Sequence, residues 1–309
     1  LTIAADGSRS PAASLQIVAA EELPPIIAAR PKRGALVNFL RRNPTLAIGA
    51  VLLALIAFAA IFAPWLASAD PQALSPAHRV RPPSWSNWFG TDDLGRDVYA
   101  RVIYGARTSL AVGAAVAAVA TALGVFIGVI SGYLRWLDPI LMRVVDGLMS
   151  IPSVLIAIAL LGVARGSIVS VVIAISLAEF PRVARLVRGE TLSLRERAYV
   201  SAAIACGSSP ARIMTRHILP NALDPIIIQA TYIGASAIVT EAMLSFLGVG
   251  TPQTIPSWGN IMAEGRALWE VKPYIVFFPA IFLCLTVLAV NLLGDGLRDW
   301  LDPRSAKRV

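Results

Sequence analysis

The chain has 309 residues, 56% hydrophobic and only 15% charged, with a mean hydropathy of +0.68 and a formal net charge of +8. Soluble domains carry about 25% charged residues, and here the apolar residues fall in runs long enough to cross a hydrocarbon core about 30 Å thick, so a soluble globular protein is excluded. The charge does not point to nucleic acid, because no aromatic-interleaved basic patch or base-reading motif accompanies it.

Residues 1–35 are rich in Ala and Pro with scattered charge and no apolar core of a signal peptide, so residues 1–43 are expected to form a largely disordered cytoplasmic segment. A first transmembrane helix is expected over 44–66, with Asn43 capping, Pro44 in the first turn and Pro64-Trp65 marking the far end. Residues 67–107 then form an extracytoplasmic segment containing FGTDDLGRD, where Gly90 turns the chain. There Asp92 or Asp93 is expected to cap an interfacial helix, and Arg96 and Arg101 to pair with the acids. The acids lack calcium-loop spacing and the bidentate Glu, and no metal is expected.

A second span is predicted over about 108–133, where Gly124, Gly128 and Gly132 make a stripe that lets another helix approach. A third is predicted over 146–163 and a fourth over 168–187, joined by the tight link Ala164-Arg165-Gly166-Ser167 and loosened at Pro181. The fifth covers about 222–249 and the sixth 274–293, ahead of a tail at 298–309. The segments 1–44, 134–145, 188–221 and 294–309 hold most of the Arg and Lys, including Arg41, Arg42, Arg135, Arg143, Arg188, Arg195, Arg197, Arg212, Arg216, Arg304 and Arg308. That bias places both ends in the cytoplasm.

Within the core at 108–297, the polar link at 190–221 interrupts an otherwise apolar chain. Ala198–Cys206 favours helix and stops at Gly207; Ser209 is expected to cap a second helix with Pro210 in its first turn, broken by Leu219-Pro220. This helix–turn–helix bracket would lie along the inner membrane face. Residue chemistry serves two uses equally: docking a partner, or resting as a basic connector on anionic lipid.

Glu179 and Glu241 fall inside spans, where a charge costs roughly 2.5–3.5 kcal/mol on insertion scales and so faces protein or water. They could line a pathway, as could Gln229, or carry protons. The simpler reading is an ion pair, such as Glu179 with Arg182, or an interhelical hydrogen bond. Catalytic machinery is not expected. None of the three lysines follows a glycine as a Walker A motif requires, no HExxH is present, and His78 and His217 lie outside the spans. Cys206 and Cys284 lack disulfide-framework or zinc spacing.

The bracket resembles the signature loop of ABC-importer permeases, Glu-Ala-Ala-x3-Gly-x9-Ile-x-Leu-Pro, and supplies Ala202, Ala203, Gly207, Leu219 and Pro220 at that spacing. It departs from it with Ser201 for Glu and His217 for Ile. FGTDDLGRDVYARVIYGARTSL (89–110), EAMLSFLGVG (241–250) and PSWGNIM (256–262) resemble the C-type permeases of dipeptide, oligopeptide and nickel importers. The resemblance implies an all-α membrane protein of the type I importer fold, with six transmembrane helices and both termini inside, in the bacterial inner membrane. It implies a coupling helix formed by Tyr199, Ser201, Ala202, Ala203 and Gly207, oriented by Arg212, Arg216, Leu219 and Pro220. It further implies a second permease subunit, two cytoplasmic ATPase subunits that carry ATP and Mg, and an extracytoplasmic binding protein docking near Asp92, Asp93, Arg96 and Asp97. No cofactor is expected on this chain. A stand-alone proton-coupled transporter is the alternative; it predicts internal repeats, and none is visible.

Overall fold

A computed structural model describes residues 43–67, 69–163 and 166–301. The expected disordered segment with Arg41-Arg42, the link residues Ala164-Arg165, and the tail beyond 301 with Arg304 and Arg308 lie outside the described residues.

The described chain is helical. It begins with α1 (Pro44–Ile61) and the short α2 (Ala63–Leu66). α3 (Val98–Tyr133) is followed by α4 (Asp138–Met149), α5 (Ser153–Val163) and α6 (Ile168–Arg195). The bracket contributes α7 (Ala198–Ala205) and the single-turn α8 (Pro210–Ile213). α9 (Leu223–Phe246), α10 (Trp258–Gly265) and α11 (Tyr274–Leu301) complete it.

Four stretches are long and apolar enough to cross a membrane: α1, α3, the run from Pro210 to Phe246, and α11; α4 and α5 together make a fifth candidate. α6 has 28 residues, but Glu179, Arg182 and Arg185 interrupt its apolar run.

Several expectations are corrected. The 36-residue α3 runs unbroken from the outer segment through the second span, so the helix that follows the TDDLGRD turn is the start of α3 itself. Asp97, not Asp92 or Asp93, caps it, accepting from the Tyr99 N–H at 2.8 Å and the Ala100 N–H at 3.4 Å. The third span is not straight: α4 and α5 meet at 90° across Ser150–Pro152, where Pro152 stops the helix. Neither the Asn43 nor the Ser209 side chain caps its helix, although Pro44 and Pro210 occupy first turns as expected. α6 continues to Arg195 and α11 to Leu301, both beyond their apolar runs.

Leu219-Pro220 does not break the helical course. Pro220 has no N–H to give the preceding turn. The backbone answers with a π turn over Met214–Ile218 and a 3-10 turn over Leu219–Ala222, then resumes as α9. The Asn221 side chain donates to the His217 carbonyl at 2.7 Å within this irregular stretch.

α3 is the central element. A Cβ at Gly124 would overlap the Val183 side chain, one at Gly128 would come within 2.7 Å of the Ala184 carbonyl oxygen, and one at Gly132 within 2.6 Å of Thr191 Cβ. The stripe expected to admit a neighbour therefore admits α6, and close backbone approach supplies the packing that lipid cannot drive hydrophobically. The main core forms where α3, α4, α5, α6 and α9 meet, around Val116, Ala120, Ile175, Val183, Val187 and Ile233. A second cluster gathers Val98, Val102, Trp258, Ile261 and Ile275 at the start of α3. Its 36 residues, at about 1.5 Å each, separate the two ends of α3 by roughly 54 Å.

Candidate functional site

At the Tyr133 end of α3, the bracket is built by two devices. α7 ends in a complete Schellman motif: Gly207 takes φ +76°, its N–H donates to the Ile204 carbonyl at 2.9 Å, and the Ser208 N–H donates to the Ala203 carbonyl at 3.0 Å. Gly207 thus stops the helix as expected, and the left-handed conformation explains why glycine stands there. The second device is a small core of Val200, Ile213 and Ile218, all buried, with Tyr133, Leu194 and Ala203 against it. This core fastens α7 and α8 to the ends of α3 and α6. Arg195 adds hydrogen bonds to the Gly132 and Tyr133 carbonyls at 3.3 and 3.1 Å, satisfying the last turn of α3.

The opposite side of the bracket is open. Tyr199 is 40% and Ile204 53% exposed, and Ser201, Ala202, Gly207, Arg212, Arg216 and Pro220 are exposed beside them. Ala203 and Leu219 are half-buried and turn inward. Ala203, expected to shape the docking face, stands instead in the bracket's own core, because α7 repeats every 3.6 residues and Ala203 comes three after buried Val200.

At the other end of α3, the acids and arginines of the TDDLGRD turn form a buried charge cluster. The Asp92 carboxylate, 1% exposed, accepts from Arg96 Nε and Arg101 NH1 at 2.7 Å each and from the Leu94 and Arg96 backbone N–H groups at 2.9 Å each. Arg96 also reaches Glu264 on α10 at 2.6 Å, and Arg101 binds the same carboxylate. The expected pairing of Arg96 and Arg101 with acids is present, but Glu264, 168 residues from Arg96, was not among the expected partners. Asp92, Asp93 and Glu264 stand close enough to share a cation, yet two guanidinium groups already fill that role. Asp92, Asp97 and Arg96 are turned inward, at 1%, 5% and 11% exposure, whereas Asp93 is 44% exposed.

Close by, the fully buried Trp258 donates its indole N–H to the Val102 carbonyl at 3.1 Å. Asn260 donates to the carbonyls of Thr251, Pro252 and Ile255 at 3.0–3.2 Å and pins the 251–255 loop onto α10. Both lie in PSWGNIM, whose composition gave no sign of these roles.

The two intramembrane acids have different surroundings. Glu241 is 0% exposed and accepts from Ser245 at 2.7 Å, Thr251 at 3.1 Å and Ser109 at 3.5 Å, tying α9, α3 and the outer loop together. Glu179 is 1% exposed, with Arg182 at 3.1 Å and Ser236 of α9 at 3.5 Å. Gln229 is half-buried two turns from Ser236 on the same face of α9. Two further bridges join α6 to α4: Arg185 to Asp146 at 2.6 Å, and Arg188 to both Asp138 oxygens at 2.5 and 2.7 Å.

Residues 120–307 match the family model of the binding-protein-dependent transport system inner membrane component, and residues 37–83 that of the N-terminal TM domain of oligopeptide transport permease C. A probable peptide ABC transporter permease of Sinorhizobium fredii is 51% identical over 272 residues, covering 88% of this chain and 93% of that relative. A dipeptide transport system permease of Alkalihalophilus pseudofirmus is 41% identical, covering 86% of this chain and 88% of that relative. An oligopeptide transport system permease of Bacillus subtilis is 39% identical, covering 89% and 90% respectively. With apolar helices long enough to cross a bilayer and a family match spanning most of its length, the chain belongs to the inner-membrane components of binding-protein-dependent transport systems.

Proposed function

We propose that this chain is the C-type permease subunit of an ATP-driven importer of di- or oligopeptides. It forms half of the translocation path beside a second permease, served by two cytoplasmic ATPase chains and an extracytoplasmic binding protein. ATP and Mg belong to the ATPase chains, and this chain performs no chemistry. It crosses the membrane six times with both ends inside, with α4–α5 and α6 supplying the crossings that length and apolarity alone leave open. The peptide assignment follows the names of the relatives, and the orientation follows the distribution of Arg and Lys.

The observation that carries the coupling role is the two-sided bracket. One side is a core locked to α3 and α6; the other presents Tyr199, Ala202 and Ile204, small and apolar groups fit for a groove on an ATPase subunit. A push on the exposed side therefore reaches two spanning helices directly. Arg212 and Arg216 meet acidic groups of the ATPase or headgroups at the rim. Glu241, sealed among hydroxyls within the protein, serves as a structural tie rather than a proton carrier.

The test is affinity purification of the assembled complex in mild detergent, with subunits identified by mass spectrometry and ATPase activity measured. Ile204→Arg is expected to lose the ATPase chains and their activity while keeping the melting profile of the isolated chain, because Ile204 is outside the bracket's core. Ala203→Arg is expected to lower that melting profile as well. Wild type that purifies without ATPase chains, or Ile204→Arg that retains them, overturns the coupling reading.

A further inference from the structure

Most of α6 is covered, by α3 along the glycine seam and by α4, α5 and α9 on other sides. Its open side changes character along the helix. Val169 and Ile173 are 67% and 51% exposed near the start, whereas further on the exposed groups are Arg182 and Arg185, with side chains 50% and 53% exposed. On the six-span reading proposed above, α6 enters the hydrocarbon core near Ile168; Arg182, 14 residues further on, then stands about 21 Å along the axis, within a core of roughly 30 Å. Its guanidinium does not reach toward the nearer, inner headgroups as a snorkelling arginine does. It turns back one turn to Glu179, NH1 to Oε2 at 3.1 Å, toward the middle of the bilayer. A half-exposed arginine held at that depth belongs against water or protein rather than lipid.

The surroundings are polar on three helices. Arg185 and Asp146 pair at 2.6 Å between α6 and α4, both more than half exposed; Ser236 lies 3.5 Å from Glu179, and Gln229 continues the same face of α9. Among the described residues Glu179 is the one hydrogen-bonding partner of the Arg182 guanidinium, through a single nitrogen. The group has five N–H donors in a planar fork that matches a carboxylate in two-point contact. Glu179 holds the fork and offsets its charge, which leaves a site that attracts an anion weakly enough to release it, as passage requires.

We propose that Arg182, positioned by Glu179, receives the α-carboxylate of a peptide in transit and makes transport favour peptides with a free C-terminus. This rests on the importer reading above. The experiment uses the complete complex in proteoliposomes with saturating binding protein, comparing uptake of one peptide with uptake of its C-terminal amide. The variants are Arg182→Gln, Arg182→Lys, and Arg182→Gln with Glu179→Gln, the last leaving no unpaired buried acid. Wild type is expected to favour the free acid. Both glutamine variants lose about tenfold in free-acid uptake, the scale of one charge-assisted hydrogen bond, and their acid-to-amide ratio falls toward one, while Arg182→Lys regains most of the preference. A preference retained in the double variant places selectivity in the binding protein and overturns the proposal. Loss of the second permease from the double variant overturns it too, by assigning Arg182 to the subunit interface. A wild-type complex that assembles and hydrolyses ATP yet takes up neither compound removes the peptide reading itself, and the carboxylate site with it.

Discussion

Arg101 shows how much one side chain can hold. It is 2% exposed and joins Asp92 in the outer turn to Glu264 on α10. Removing one member of a buried ion cluster leaves the others uncompensated, at a cost of about 3–5 kcal/mol. Arg101→Met is therefore expected to lower the melting temperature of the detergent-purified chain strongly. Arg101→Met combined with Glu264→Gln is expected to recover most of the loss, since Asp92 and Arg96 then remain as a pair. If the single variant melts like wild type, the cluster does not hold the outer loop. The pairing of Arg96 and Arg101 with Asp92 was legible in the sequence because the three lie within ten positions. Glu264 was not, because its proximity depends on α10 folding back over the start of α3.

At the scale of helices, the closest fit is the glycine seam between α3 and α6. A side chain at Gly124 would overlap Val183, so Gly124→Val forces the helices apart, an overpacking penalty of about 1–3 kcal/mol. A methyl group added at Gly162 would meet no atom within 4 Å, so Gly162→Ala serves as a neutral control, within about 0.5 kcal/mol. Equal melting temperatures for Gly124→Val and Gly162→Ala would rule out a tight seam. The four-residue glycine spacing made this seam readable in advance; its partner was not, since any of the other spans could have filled the groove. The right angle between α4 and α5 escaped the apolar pattern for a related reason. Hydropathy counts apolar length, whereas Ser150–Pro152 changes direction without changing composition much. Pro220 misled in the other direction: proline favours a break, but π and 3-10 turns carried the backbone through.

For the whole molecule, the question is how movement at the bracket reaches the opposite end roughly 54 Å away. The links are Arg195 on the last carbonyls of α3, the Val200–Ile213–Ile218 core on Tyr133 and Leu194, and α3 itself, whose first turns carry the buried charge cluster. Arg195→Met keeps the apolar stem but severs the bonds to Gly132 and Tyr133. In the reconstituted complex it is expected to leave ATPase activity within about twofold while lowering peptide taken up per ATP several-fold, as for the loss of charge-assisted hydrogen bonds. An unchanged ratio would mean that Arg195 only completes the end of a helix.

The sequence by itself determined the membrane class, the main apolar runs, the glycine seam, the stop at Gly207 and the existence of a polar bracket. Each rests on composition or on spacings of a few residues, which local backbone geometry converts directly into structure. Only the tertiary structure decided that Ala203 faces inward while Ile204 faces out, that Glu264 joins the outer charge cluster, that Glu241 is walled in by hydroxyls, and that Arg182, paired with Glu179 as the sequence suggested, is left half-open. Those outcomes depend on which helix covers which face, and contacts between residues far apart in the chain leave no periodic trace along it.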